Sequence, residues 1–221
     1  MTPPLILVTG PARSGKSEWA EYLAAQSHLG KPLITDQPSV TGHPSVTGHP
    51  SVTGHPSVTY VATAQTNPDD PEWQARILQH QQRRPSTWQT LHVPIDLAVV
   101  FNSVPAPDCW LIDSLGTWLA NLLDQSESDW QQILNQLLHQ LQHRQSQIII
   151  VSEETGWGVV PAYPSGRLFR DRLGQATRKI GQIADAVYLV TAGYAINLRQ
   201  IGQPLPGQLG AFSPSESSED Q

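Results

Sequence analysis

The stretch Gly10-Pro-Ala-Arg-Ser-Gly15-Lys16-Ser17 constrains this chain more than any other, because it matches G-x-x-x-x-G-K-[ST] in full directly after the apolar run Leu5 to Thr9. That run suits a buried parallel strand, and a helical stretch follows the motif. Strand, loop and helix in that order are what such a loop requires. Its backbone N–H groups wrap phosphates at a helix N-terminus, where aligned peptide dipoles favour negative charge. Gly10, Pro11, Ala12, Arg13, Ser14 and Gly15 then form the cradle, Lys16 neutralises the β and γ oxygens, and the Ser17 hydroxyl is a magnesium ligand. Pro11 has no N–H, so that position of the cradle is not a donor.

A site of this kind also needs a carboxylate at the end of a neighbouring strand. Cys109-Trp-Leu-Ile-Asp113 supplies one, and Asp113 is the candidate for the magnesium shell. The same residue suits a cap for a helix over Leu115 to Leu123, a duty that Ser114 could share. Further strands are expected at Ser57 to Thr63, Gln147 to Ser152 and Ala186 to Thr191. Trp130, Ile133, Leu134, Leu137, Leu138 and Leu141 follow the spacing of one helix face. Asp70-Pro71 reads as a helix start, with the Asp side chain capping free N–H groups and Pro where no donor is needed. The alternation predicts an α/β fold with a mostly parallel sheet covered by helices on both faces.

With 221 residues, 38% hydrophobic, the chain has apolar matter for one core. A single P-loop nucleotide-binding domain over 1–202 is expected, followed by a Ser- and Glu-rich tail over 203–221 without fixed structure. Within that domain Pro-Ser-Val-Thr-Gly-His repeats at 38–43, 44–49 and 50–55. Three short copies are too few to bury a solenoid core, so 36–55 reads as an expanded surface loop. His43, His49 and His55 recur through it, but a loop lacks the fixed geometry that a zinc site demands. The formal charge of -6 owes half its value to Glu216, Glu219 and Asp220 in the tail. A nearly neutral body argues against a nucleic-acid partner held by phosphate contacts. Cys109 is the lone cysteine, which excludes a disulfide framework or thiolate zinc cluster within one chain. A reducing, cytoplasmic setting is expected. No basic leader region opens the chain, and no apolar run approaches the roughly 18 residues of a membrane span.

His80 is ambiguous. On the helix starting at Pro71 it shares a face with Trp73 and Ile77, so periodicity alone makes it a packed or edge histidine, with a catalytic role as the alternative. Arg83 and Arg84 close behind it read as a solvated pair or as phosphate ligands.

An ordered set of landmarks resembles one family, the bifunctional adenosylcobinamide kinase and adenosylcobinamide-phosphate guanylyltransferase of cobalamin biosynthesis. The set comprises Ile6 to Ser17, Tyr60-Val-Ala-Thr-Ala-Gln65, Arg76-Ile77 with His80 and Arg84-Pro85, Trp88 with Thr90, and Asp113 with Asn121-Leu-Leu123. It continues with Glu154, Gly156-Trp-Gly-Val-Val-Pro161 and Phe169-Arg-Asp171. The resemblance implies a P-loop NTPase fold related to the RecA type and two reactions at one protein. In the first, ATP or GTP phosphorylates adenosylcobinamide. In the second, His80 carries GMP from GTP to adenosylcobinamide phosphate. The resemblance further implies magnesium, a homotrimer, and nucleotide contacts at Gly10 through Ser17, Thr63, Ala64, Gln65, Gln81, Gln82, Arg83, Arg84 and Asp113. His92 aligns with a family Glu that contacts GTP. Gln79, Gln81, Glu153 and Thr177-Arg178 also depart from the usual residues. Two other classes fit the loop: a P-loop kinase of another small molecule with His80 merely packed, and a nucleotide-binding regulator without turnover.

Overall fold

In the computed structural model, which describes residues 2–27, 57–65, 83–103, 106–158 and 160–205, the chain enters the sheet at β1 (Leu5–Gly10) and leaves it through the P-loop into α1 (Lys16–Ala25). The described chain then runs through β2 (Val58–Ala62), β3 (Gln89–His92), α2 (Leu97–Ser103), β4 (Cys109–Asp113) and α3 (Leu115–Ala120). It continues as α4 (Glu127–Gln142), β5 (Gln147–Glu153), α5 (Pro164–Ile183), β6 (Ala186–Thr191), β7 (Tyr194–Asn197) and α6 (Leu198–Ile201). Among the described residues seven strands form one sheet in the order β3-β2-β4-β5-β1-β6-β7. All neighbouring pairs are parallel except β6 with β7.

Side chains alternate between the two faces with the strand period of two. Leu5, Leu7, Trp110, Ile112, Ile148 and Ile150 pack under α2 to α5, whereas Ile6, Val8, Leu111, Ile149 and Val151 pack with Ala20, Leu23 and Ala24 of α1. Burial on both faces explains unbroken apolar runs such as Ile148 to Val151, where no solvent side asks for polar residues. The expected mostly parallel α/β sheet, with helices on both faces, is what forms.

The helix over the Trp130 to Leu141 pattern is α4, and Trp130, Leu134, Leu137 and Leu141 are its buried stripe. Ser126 caps it by accepting from the Asp129 N–H, and Glu127 and Asp129 lie in the first turn, where the helix dipole favours acids. α5 starts at Pro164, a position where the missing N–H costs nothing, and buries Leu173, Ala176 and Ile180. The buried Arg172 of α5 donates to the carbonyls of Leu122, Leu123 and Gln125, closing the turn between α3 and α4.

Three features differ from the sequence reading. α3 ends at Ala120 rather than Leu123, because Asn121 turns its amide onto the carbonyls of Thr63 and Pro94. β3 is an exposed edge strand of mixed polarity, which periodicity does not mark. β7 forms because Ala192 and Gly193 both take positive φ, making a two-residue hairpin turn after β6. The Asp70-Pro71 helix start, the repeat loop 36–55 and most of the tail lie outside the described residues. Among the described residues no helix is long and apolar enough to cross a membrane.

Candidate active site at the P-loop

Both glycines of the motif answer to geometry. A Cβ on Gly10 would stand 2.3 Å from the carbonyl oxygen of Val190 in β6, so the strand end and its neighbour can approach only with hydrogen there. Gly15 sits at φ 91 as the N-cap of α1, in the left-handed region that favours glycine. Between them the Ser14 N–H donates to the Pro11 carbonyl at 3.3 Å, and Lys16 Nζ donates to the same oxygen at 3.3 Å. Pro11, which lacks a donor, thus serves the loop as an acceptor. Lys16 is buried, Ser17 is half-buried one residue later, and the buried Ser14 hydroxyl has no hydrogen-bond partner. Gly15 offers no side-chain cap, which leaves the first N–H groups of α1 facing outward from the helix end.

Two strands away, β4 delivers Asp113. Cys109 and Leu111 pack on the α1 face of the sheet, and strand alternation places Asp113 on that same side. Asp113 does not cap α3. Ser114 does, accepting from the Thr117 N–H in a reciprocal capping box. Thr63, at the end of β2, locks this turn: its hydroxyl donates to the Ser114 carbonyl at 2.7 Å and accepts from the Ser114 N–H at 2.9 Å. The Thr63 side chain is therefore committed to the turn, while Ala64 is half-buried and Gln65 exposed just beyond it. The Tyr60 hydroxyl donates to Asp113 Oδ2 at 3.0 Å.

Glu153 also belongs to this site, although neither periodicity nor motif marked it as a site residue. It ends β5 in register with Gly10 of the adjacent β1, and that pairing is the signal that could have found it. Its carboxylate accepts from Ser114 Oγ and, at 2.9 Å, from the Gly116 N–H. Burial pushes its pKa up, as does the charge of Asp113, while the Ser114 bond, Lys16 and the Gly116 amide pull it down. Glu154 next to it accepts from the Thr9 hydroxyl at 2.6 Å, and its N–H donates to the Gly10 carbonyl at 2.9 Å.

Arg83 and Arg84 are anchored to the same assembly. Arg83 pairs with Glu18 and, at 3.4 Å, with Glu21, both on α1. Burial raises the Glu21 pKa, and Arg83 opposes that shift. The Arg84 guanidinium lies 3.6 Å from the centroid of the Tyr60 ring, and its Nη1 donates to Thr90 Oγ1 at 3.4 Å. His92 is exposed at the end of β3, opposite Ala62, which is itself opposite Asp113. His80, Gln81 and Gln82 lie outside the described residues. Among the described residues no cluster of three or more His, Cys, Asp or Glu side chains could hold a metal ion by itself.

Comparison with known proteins finds relatives along most of the chain. The family profile described as cobinamide kinase / cobinamide phosphate guanyltransferase matches residues 45–198. The bifunctional adenosylcobalamin biosynthesis protein CobP of Pseudomonas aeruginosa is 36% identical over 203 residues, covering 90% of this chain and 98% of that one. The bifunctional adenosylcobalamin biosynthesis proteins CobU of Salmonella typhimurium and of Escherichia coli are each 29% identical over 210 residues, covering 88% of this chain and 99% of theirs.

Proposed function

The chain belongs to the cobinamide kinase / cobinamide phosphate guanyltransferase family, and from that membership we propose a bifunctional enzyme of cobalamin biosynthesis working at the P-loop edge of the sheet. In the first reaction the aminopropanol hydroxyl oxygen of adenosylcobinamide attacks the γ-phosphorus of ATP or GTP, the bond to the β–γ bridging oxygen breaks, ADP or GDP leaves with that electron pair, and the hydroxyl proton passes to solvent. In the second, a lone pair on a His80 ring nitrogen attacks the α-phosphorus of GTP, the bond to the bridging oxygen breaks, and pyrophosphate leaves with that electron pair. A phosphate oxygen of adenosylcobinamide phosphate then displaces the imidazole, which yields adenosyl-GDP-cobinamide and restores His80. An imidazole suits this relay, since it is largely unprotonated near neutral pH and its bond to phosphorus is labile.

The observation that carries the reading is the P-loop itself, with Lys16 at the mouth of α1 and Asp113 released from capping duty by Ser114. Amides of the loop and the unpartnered Ser14 hydroxyl hold phosphate oxygens, and Lys16 exchanges its contact with Pro11 for them. The donor set fits magnesium. One hydroxyl from Ser17 and one carboxylate from Asp113 are the sparse protein ligation this ion takes when phosphate and water complete its shell. When bound, the ion neutralises charge on the β and γ oxygens. Thr63, Ala64, Gln65, Gln81, Gln82, Arg83, Arg84 and His92 are assigned the remaining nucleotide contacts. A homotrimer in the cytoplasm is the setting proposed, on the family resemblance and the lone buried Cys109.

Incubation with GTP labelled at the α-phosphate tests the reading. The protein should acquire a magnesium-dependent label that is stable in base and labile in acid. His80→Asn should abolish the label and leave the kinase step intact, whereas Lys16→Ala should abolish phosphoryl transfer in a folded protein. A label that survives in His80→Asn would take the nucleophile away from His80, and a native chain that never labels during turnover would reduce the protein to a plain kinase.

A further inference from the structure

We infer that Tyr60 is a positioning residue for the metal-dependent steps: its hydroxyl holds one oxygen of Asp113 and leaves the other for the ion and its water shell. This rests on the reading of Asp113 given above. The contact follows from register. Tyr60 stands opposite Leu111 on the parallel neighbour β4, and Asp113 lies two residues further along the same face. A diagonal offset of that kind is within reach of an aromatic side chain, and the phenol closes it at 3.0 Å from Oδ2.

The rest of the Asp113 turn is already fixed. Thr63 holds the Ser114 backbone, and Glu153 holds Ser114 Oγ and the Gly116 N–H. Rotation of the Asp113 carboxylate is the freedom that remains, and among the described residues Tyr60 supplies the side-chain hydrogen bond that removes it. The donor is dependable, because Tyr60 is buried, and a hydrogen bond to a charged acceptor in such surroundings is stronger than one in water. It is also secured from behind. The Arg84 guanidinium over its ring is bonded to Thr90, so a chain of contacts from Thr90 through Arg84 and Tyr60 to Asp113 crosses β3, β2 and β4. A cation over the ring draws electron density from the phenol and strengthens its donation. A tyrosine that only filled the core would need no polar tip at this end of the sheet.

The test uses Tyr60→Phe in the full chain, with Mn2+ in place of magnesium and a nonhydrolysable GTP analogue, so that binding is read without turnover. Paramagnetic resonance should show Mn2+ affinity of the protein–nucleotide complex falling about tenfold, the size of one hydrogen bond to a charged group. Analogue affinity in excess chelator should stay within about twofold of the native value, since the P-loop contacts are untouched. Tyr60→Phe added to Asp113→Asn should weaken Mn2+ binding no further than Asp113→Asn alone. Unchanged Mn2+ affinity with a lowered melting temperature, or full additivity of the two substitutions, would overturn the inference. If Tyr60→Phe does not fold, 3-fluorotyrosine at position 60 keeps the ring and hydroxyl as a fluorine resonance reporter. Its signal should move when magnesium joins the nucleotide complex and stay still in Asp113→Asn; a signal indifferent to magnesium would overturn the inference as well. A native chain that binds no GTP analogue would instead refute the functional reading beneath it.

Discussion

Glu153 shows how a single carboxyl group can belong to a site and still act mainly through structure. Both its oxygens are engaged, one by the Ser114 hydroxyl and one by the Gly116 amide, so it orients the turn that carries Asp113. Its environment has a measurable signature. Burial holds its pKa above the ordinary 4.5, so the folded state prefers the protonated form more than the unfolded chain does. The stability it contributes is complete below the unfolded pKa and is lost as pH rises through the raised folded value. The melting temperature of the magnesium-free protein, measured against Glu153→Gln from about pH 4 to pH 8, should shift in favour of the variant as pH rises. A difference that stays constant across that range would place the charge of Glu153 in solvent-like surroundings. The two arginines make the complementary case: read as a solvated pair or phosphate ligands, they prove to be tied to α1 and to Tyr60. Adjacency in sequence reveals their charge, but what each charge meets depends on strands and helices brought from elsewhere.

At the scale of elements, α3 is short, and its N-terminus is pressed against the end of β5. A Cβ on Gly116 would stand 2.2 Å from Glu153 Oε2, so a side chain here would force the Glu153 carboxylate out of its bonds to Ser114 and the Gly116 amide. Gly116→Ala should therefore destabilise the protein by about 1–3 kcal/mol, the usual cost of overpacking, although alanine is the better helix former. Chemical denaturation checks this, and Gly116→Ala combined with Glu153→Ala should recover part of the loss by removing the obstructing carboxylate. A Gly116→Ala protein as stable as the native chain would show that the Glu153 carboxylate can swing aside at no cost. The start of α3 is partly legible locally, through the Ser114–Thr117 capping box, and the tertiary fold adds Thr63 and Glu153 to brace it. Its finish is not, because Asn121 turns onto the carbonyls of Thr63 and Pro94 and Arg172 of α5 closes the turn beyond, contacts that only the tertiary fold provides. α4 is the opposite case, with Ser126 as cap, acids in the first turn and an apolar stripe all written within its own residues.

For the whole molecule, the low-complexity segment 36–55 falls in sequence between β1, which leads into the P-loop, and β2, which carries Tyr60. Closing a loop costs entropy that grows only with the logarithm of its length, about 0.6 kcal/mol per doubling, so deletion of 38–55 should leave both activities and the melting temperature nearly unchanged. Insoluble protein after that deletion, or loss of activity, would assign the repeats a structural part. The sequence by itself determined the P-loop, the parallel strands beside it and the apolar stripe of α4. Each of these is a local pattern: glycines where the backbone needs them, branched apolar runs where both faces are buried, and a helix period in one segment. Only the tertiary structure decided the rest. The edge strands β3 and β7 draw their order from neighbours rather than from composition. Glu153 enters the site because register sets it beside Gly10, and Tyr60 reaches Asp113 because β2 and β4 align in parallel. These are contacts between residues far apart in the chain, and their geometry is set by how strands pair and faces pack, which no short stretch of residues contains.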